Sequence, residues 1–379
     1  MVKKQFVAVT GYCGTGSSAV IDLLKEYSDV NIAAPVPECY EHVALYFQGG
    51  LYDLASILLS PYRSVSSSSM AISEFIDTAK RLNDNDFGWY GGYAEHYGAT
   101  YMDAVNKFVS TISTERSGRN LEHRIGIRKS VIKAILQIGA KILYNRPITS
   151  LGRKYVYVSK PFFYCMPTEE EFFCAAKQYI LSYLQMCSKG EGVNVFDHLL
   201  WPQQSDTISE FFPENFKVIV VYRDPRDVYL LNKYYWYKPP VSAPGAIPYF
   251  PTDVMKFCDE WKRMIYDCTG KKNVLLIFFE DLVYQYDKTV KNIEDFLDLE
   301  INNHTKKYTF FEPERSIENT QVFRLSNEWI EEIAPINSLL SSYLYHFPYN
   351  RIPEKTLWFD SDLQLINVRK KKKINRDNS

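Results

Sequence analysis

Apolar and polar positions follow two patterns along this chain. At the start, "QFVAVT" (Gln5 to Thr10) is apolar through most of its width and is broken by "GYCGTG" (Gly11 to Gly16). The next stretch, "SSAVIDLLKEY", sets Val20, Leu23 and Leu24 at helical spacing. This predicts strand, loop and helix, with Ser17 and Ser18 as candidate caps of the first turn. "VNIAAPVPECYEH" adds a short apolar run stopped by Pro35 and Pro37. The second half resumes that pattern: "EEFFCAAKQYILSYLQMC" reads as a helix, and "VNVFDHLL" and "FKVIVVYRDPRD" as buried strands that end in polar residues. "NVLLIFFEDL" repeats the strand shape and leads into the helix "KTVKNIEDFLDL". Fully apolar strands alternating with helices predict an α/β fold: a central parallel sheet flanked by helices in three layers.

Between these halves, from Tyr40 to Ser159, the pattern is irregular: serine-rich "SVSSSS", aromatic "FGWYGGYAEHYG", then amphipathic "RKSVIKAILQIGAKIL". The stretch is too long for one connection in a compact sheet. It predicts a large, mostly helical, substrate-facing insertion. The organisation is then one α/β domain over residues 1–368, with 40–159 inserted, and a basic tail over 369–379.

Composition narrows the class. Of 379 residues, 46% are hydrophobic and 23% charged, as in soluble globular proteins. A net charge of −1 gives no global field for nucleic acid, so no nucleic-acid partner is expected. The exception is Arg369-Lys370-Lys371-Lys372-Lys373, read as a solvated end, with contact to an anionic membrane surface as the alternative. No signal-peptide layout and no membrane-length apolar run are visible. Seven cysteines without a CxxC pair point to reduced thiols and a cytoplasmic setting. The six histidines lack HExxH or HxxxH spacing, so no metal site is expected.

The chemistry begins in the loop. A strand that enters a glycine-rich turn and then a helix aims backbone N–H groups at one point, and the helix dipole adds about half a positive charge there. Gly11, Gly14 and Gly16 permit close approach and positive φ, while Thr15, Ser17 and Ser18 add hydroxyls. The string fits GxxxxG followed by Ser-Ser, but the lysine that nucleotide triphosphatases use on the β and γ phosphates is missing. A second signal is "VIVVYRDPRDVYLLNKYYW", where Arg223 directly follows a buried strand. Its guanidinium is expected at the strand's carboxyl end, where open α/β sheets bind ligands and where an arginine fork suits a phosphate monoester.

Together "GTGSS" (Gly14 to Ser18) and "RDPRDV" (Arg223 to Val228) resemble the sulfotransferases that use 3′-phosphoadenosine 5′-phosphosulfate (PAPS). That family carries a loop such as "KSGTT" or "RSGSS" for the 5′-phosphosulfate and "RNPRDV" or "RDPRD" for the 3′-phosphate. "FFEDLVYQYDKTVKNIEDFLDL" resembles its later strand–helix passage, and "RSIENTQVFR" (Arg315 to Arg324) stands where members present small polar and basic groups to the nucleotide. The resemblance implies a P-loop-like fold and PAPS as co-substrate, with 3′-phosphoadenosine 5′-phosphate (PAP) as product. It implies Gly14, Thr15, Gly16, Ser17, Ser18, Arg223 and Arg324 as nucleotide-binding residues. A loop without lysine suffices for a single 5′-phosphate ester.

Two departures stand out. The family's basic loop residue falls on Gly14, so another cation is needed; Lys160 in "VSKPFF", or Arg128 and Lys129 in "GIRKSV", are candidates. The family's serine for the 3′-phosphate falls on Leu231, with Asn232 or Lys233 as neighbours able to contribute. For proton removal, His198 in "NVFDHLLW" ends an apolar run, with Asp197 acting directly or orienting the ring; Glu38 is a second candidate base. The tyrosines and tryptophans of "FGWYGGYAEHYG" and "LNKYYWYKPP" suit an acceptor such as a glycan or glycolipid. Two alternatives stay open: a nucleotide kinase or NTPase that uses Glu280 and Asp281 after "LLIFF", and a catalytically silent PAP-binding protein.

Overall fold

The computed structural model describes residues 4–36, 39–84, 90–118, 160–236, 250–267 and 269–354, with short pieces between 119 and 159. Five parallel strands form the central sheet: β1 (Gln5–Gly11), β2 (Val30–Ala33), β8 (Val193–Asp197), β9 (Lys217–Tyr222) and β10 (Val274–Phe278). Their order is β10-β9-β1-β8-β2. The remaining strands are antiparallel and lie outside this sheet. β3 (Thr114–Gly118) pairs with β7 (Lys160–Tyr164), and β6 (Tyr155–Tyr157) sits between β4 (Arg124–Gly126) and β5 (Thr149–Leu151).

Alternation along β1 shows why the sheet needs two covering layers. Phe6 and Ala8 enter one hydrophobic cluster, while Val7 and Val9 enter another on the opposite face. The first cluster is closed by α2 (Leu51–Leu58), α3 (Val65–Asn83), α4 (Tyr93–Tyr97), α5 (Thr100–Ile112), α6 (Glu169–Cys187) and α7 (Ile208–Phe211). The second is closed by α1 (Ser17–Leu24), α10 (Phe279–Tyr284) and α11 (Tyr286–Leu297). α8 (Pro225–Leu231) and α9 (Val254–Met264) anchor a third cluster that includes Val322, Phe323 and Trp329. Burying each such side chain contributes roughly 1.5–3 kcal/mol. The start of α6 shows the local logic: Thr168 Oγ1 accepts from Glu171 N, and Glu171 Oε2 accepts from Thr168 N, which closes a capping box.

The three-layer expectation holds, and the predicted strands and helices of both halves form. The insertion supplies the four helices α2 to α5 and then antiparallel strands, which the sequence pattern did not single out. The helix expected over "RKSVIKAILQIGAKIL" lies almost wholly outside the described residues, as does the basic tail. Among the described residues no helix is long and apolar enough to cross a membrane.

The topology places the site. The connection leaving β1 runs toward β2, and the one leaving β9 runs the other way, toward β10. β1 and β9 are neighbours, with Gly11 in register with Val221, so the direction of winding reverses between their carboxyl ends. Open α/β sheets bind ligands at such a crevice.

Candidate active site

The loop after β1 is built by glycine geometry. Gly14 and Gly16 have φ of 82° and 92°, the left-handed region that side chains disfavour. A Cβ at Gly16 would lie 2.9 Å from Phe279 Cδ2, and one at Gly11 would lie 2.4 Å from Thr15 Oγ1. Thr15 is fully buried, and its N–H and hydroxyl both donate to Tyr12 O, at 3.0 and 2.9 Å. Thr15 therefore shapes the loop rather than offering a free hydroxyl. Gly16, not a serine, occupies the cap position of α1, which corrects the capping expectation for Ser17 and Ser18. Those serines open the helix, and among the described residues their hydroxyls have no protein partner. They are free to meet an anion.

Arg223 emerges one residue beyond β9 and turns back onto this loop. Nη1 donates to Gly14 O at 3.1 Å and Nη2 to Asn319 O at 2.5 Å, with the guanidinium 5.0 Å from the centre of the Phe279 ring. One side chain thus joins the Gly14 loop, the strand-end motif and the Arg315–Arg324 segment. The residue is only 5% exposed, and among the described residues it has no carboxylate within ion-pair distance and its Nε has no acceptor. Taking a charge out of water without an ion partner costs several kcal/mol unless an anionic group meets it.

The neighbouring motif residues are spent on structure. Asp224 caps α8, accepting from Arg226 N at 2.9 Å, and forms a two-point pair with the Arg226 side chain at 2.8 and 2.6 Å. Asp227 accepts from the N–H groups of Gln321 and Phe323. Burial raises the Asp227 carboxyl well above the ordinary carboxylate range. Glu280 is also buried and accepts from Asp224 N at 2.9 Å. Burial, reinforced by the charge of Asp224, pushes its pKa up to about 8 against the opposing pull of Arg223. Asp281 receives the Tyr345 hydroxyl at 2.9 Å and the Gln285 amide at 2.9 Å. Asp281 is thereby occupied by other protein groups, and Glu280 is bonded through Oε1 alone, with Oε2 buried and without a partner among the described residues.

On the other flank of β1, His198 follows β8. Its N–H donates to Val9 O at 2.9 Å, and its φ of 49° turns the side chain out of the strand line. The ring Nδ1 lies 2.8 Å from Asp197 Oδ1. A carboxylate only accepts, so Nδ1–H donates and Nε2 keeps the lone pair. Burial lowers the imidazole pKa, but the hydrogen bond and charge of Asp197, with the charge of Glu41, outweigh it and leave the pKa raised. Glu41 runs beside Asp197 as an isolated parallel bridge and accepts the hydroxyls of Tyr46 and Tyr90, at 2.8 and 3.1 Å. Thr10 Oγ1 donates to Leu200 O at 2.7 Å, tying the segment after His198 to the end of β1. Burial, and secondarily Glu41, pushes the Cys13 thiol up to about 12, which keeps it protonated.

Beside the loop lies a cleft of about 420 Å3, lined by Tyr12, Cys13, Trp201, Gln203, Phe250 and Met264 among others. Trp201 connects it to the histidine, with its ring centre 6.3 Å from that of His198 and 4.9 Å from that of Tyr46.

Several sequence expectations need correction. Asn232 is fully buried, and its amide donates to Phe250 O and accepts from Phe250 N, at 2.9 and 3.2 Å, so it clamps a loop and has no end left for phosphate. Lys233 is held by Glu332. Arg324 gives Nε to Gln321 and Nη2 to Asn350, at 2.9 and 2.6 Å, which holds it on the Gln321 segment and Asn350. The backbone of Lys160 pairs with Gly118 in the β3–β7 ribbon; its side chain, like Glu38, Arg128 and Lys129, lies outside the described residues. Among the described residues of the aromatic stretches, Tyr93 and Tyr235 are buried, Tyr234 stacks on Trp329, and Tyr90 donates to Glu41. Sequence reasoning missed Glu41, three residues beyond Glu38, and Trp201. The two glutamates of "PECYEH" look alike until the chain path after Pro35 is known.

Residues 198–338 match the family model of the sulfotransferase domain, a span that begins at His198 and contains Arg223 and Asn319. The matched stretch covers less than half of the chain and is similar to a sulfotransferase domain. Among solved structures it is similar to sulfotransferase STF9 from Mycobacterium avium, at 11% identity over 93% of this chain and 79% of that one, with a TM-score of 0.33. It is also similar to retinol dehydratase in complex with androsterone and the inactive cofactor PAP, at 14% identity over 100% of this chain and 81% of that one, with a TM-score of 0.26. No curated protein sequence matches the chain.

Proposed function

We propose that the chain moves the sulfuryl group of PAPS to a hydroxyl, or an amine, of a glycan or glycolipid acceptor, with His198 as the base. One observation carries this reading: the His198 pair and the glycine loop end adjacent strands, with Val9 in register with Asp197. A proton acceptor and an anion-receiving loop thus share one crevice.

The residues fit an adenosine bisphosphate. Free hydroxyls on Ser17 and Ser18, the α1 N-terminus and the unpaired Arg223 charge supply anion-binding groups without a lysine or a metal-binding carboxylate. Asp197 fixes the His198 ring so that Nε2 can take the acceptor proton, and the charge left on the imidazole is balanced by Asp197 and Glu41. The cleft is lined by the half-exposed Trp201 and by Gln203, a mixture of aromatic and polar groups that suits a sugar ring with its hydroxyls.

Thermal melting with PAP, with ATP plus magnesium, and in buffer alone tests the donor. A ligand that binds the folded form raises its apparent stability by about 2.7 kcal/mol at a hundred-fold excess over Kd. PAP is expected to raise the melting temperature with no metal present. A shift with magnesium-ATP and none with PAP would reject the reading. Labelled PAPS offered with a panel of oligosaccharides and glycolipids tests the acceptor, and transfer confined to phenols or steroids would refute the glycan assignment.

A further inference from the structure

Besides the cleft beside the glycine loop, the insertion side of the molecule holds a second basin of about 560 Å3. Its walls are residues 110–114 at the end of α5 and the start of β3, Tyr164 and Met166 at the end of β7, and the exposed face of α6 with Glu170 and Gln178. We propose that this basin is a second sugar subsite, which holds uncharged units of an extended acceptor beyond the unit that is sulfated. The inference rests on the glycan or glycolipid acceptor proposed above.

The path of α6 puts the basin on the reaction side of the sheet. The Tyr183 hydroxyl lies 2.9 Å from His42 Nδ1, and His42 N donates to Asp197 O at 3.0 Å, so this turn of α6 stands level with the end of β8. Past Tyr183 the helix ends at Cys187 and the chain enters β8 at Val193. α6 therefore runs toward the amino edge of the sheet, and its start projects beyond the carboxyl edge, where His198 and the glycine loop sit. At about 1.5 Å per residue, Gln178 and Glu170 lie about 8 and 20 Å along the helix past the level of Tyr183. An acceptor that reaches from His198 along α6 enters the basin.

The groups on the walls are those a sugar needs. Tyr164 is 40% exposed and Met166 37%, which offers a ring and a thioether to the apolar face of a hexose. Arg116 stacks on the Tyr164 ring, 4.5 Å from its centre. Two adjacent glutamates differ in use: Glu171 Oε2 accepts from Thr168 N to cap α6, whereas Glu170 has no protein partner among the described residues. The Gln178 amide and the Thr114 hydroxyl are likewise free there, so acceptors and donors for sugar hydroxyls stand together. Among the described residues that line the basin none is lysine or arginine, while Glu170 and Glu171 both do. An acidic or sulfated unit would meet carboxylates without a cation, so the subsite favours uncharged sugars.

The test measures sulfation of a single neutral hexose glycoside and of neutral hexose oligomers of increasing length, with PAPS as donor. The full chain is used unmodified and as Gln178→Ala, Glu170→Gln, Tyr164→Ala and Tyr164→Phe. For the unmodified chain, KM should fall by about ten-fold from the single glycoside to the longest oligomer while kcat changes little, because the added contacts bind ground and transition states alike. Gln178→Ala and Tyr164→Ala should remove most of that gain and leave the KM of the single glycoside unaltered. Tyr164→Phe, which keeps the ring, should retain it. Oligomers whose distal unit carries a carboxylate should lose the gain, and Glu170→Gln should restore part of it. A KM that ignores length, variants that weaken short and long acceptors equally, or a preference for acidic oligomers would each overturn the proposal. Should Tyr164→Ala fail to fold, the length dependence of Gln178→Ala, on the exposed face of α6, decides. A chain that binds PAP yet sulfates none of these sugars would defeat the acceptor reading and this inference with it, whereas sulfation of single glycosides without regard to length defeats this inference alone.

Discussion

The two flanks of β1 carry opposite kinds of chemistry. Toward β9, the crevice is walled by Arg223, a buried cation held on the carbonyls of Gly14 and Asn319 and without an ion partner among the described residues. Toward β8, it is walled by an imidazole hydrogen-bonded to Asp197, with the carboxylate of Glu41 near enough to act on its charge and tyrosine hydroxyls on that carboxylate. One flank presents a buried cation to the crevice and the other an imidazole bonded to a carboxylate. A reaction that moves a proton off an acceptor and leaves negative charge on a phosphate needs both, on opposite sides of the transferred group. The glycine loop between them is the shared boundary.

That division can be broken most sharply on the proton side. His198→Ala should slow turnover by roughly 10²–10⁴-fold while leaving PAP affinity nearly unchanged, since general-base catalysis is worth about that much. Full activity in the variant would move the base elsewhere. Gly16→Ala attacks the boundary itself: a left-handed φ and the clash with Phe279 should lower stability by about 1–2 kcal/mol and weaken PAP, as read by melting and titration. Asp197→Asn should alter the pH profile rather than erase activity. Because Asp197 raises the His198 pKa, activity of the unmodified enzyme should rise with pH through that raised value as the ring loses its proton, if His198 is the base. Removing the carboxylate should shift this rise to lower pH and reduce the plateau; an unmoved limb would disconnect Asp197 from the titrating group. The smallest effect on binding is expected at Asn232. Asn232→Ala leaves buried Phe250 backbone groups unpaired and should cost about 1–3 kcal/mol of stability, with little change in PAP affinity for the folded fraction.

Much of this arrangement was legible in the residues. Strands such as Lys217–Tyr222 are apolar on both faces, so alternation with helices fixes a covered parallel sheet. The Gly11–Gly16 turn and Arg223 could be placed at strand ends for the same reason. What Arg223 contacts could not be read, because Gly14 and Asn319 lie 209 and 96 residues away from it in sequence. Asn232 was misread because a buried amide that clamps a loop has the same composition as one that meets phosphate. Glu41 escaped notice because its partners, Tyr46, Tyr90 and the edge of β8, converge only after the insertion has folded back over the sheet. Local pattern specifies elements; long-range charge pairing does not appear in it.

The most direct measurement is a calorimetric titration of PAP into His198→Ala and Arg223→Gln side by side with the unmodified chain. The account predicts unaltered affinity in the first and a loss of about ten-fold, near 1.4 kcal/mol, in the second. Equal loss in both, or loss at His198 alone, would contradict the assignment of the anion and the proton to separate flanks of β1.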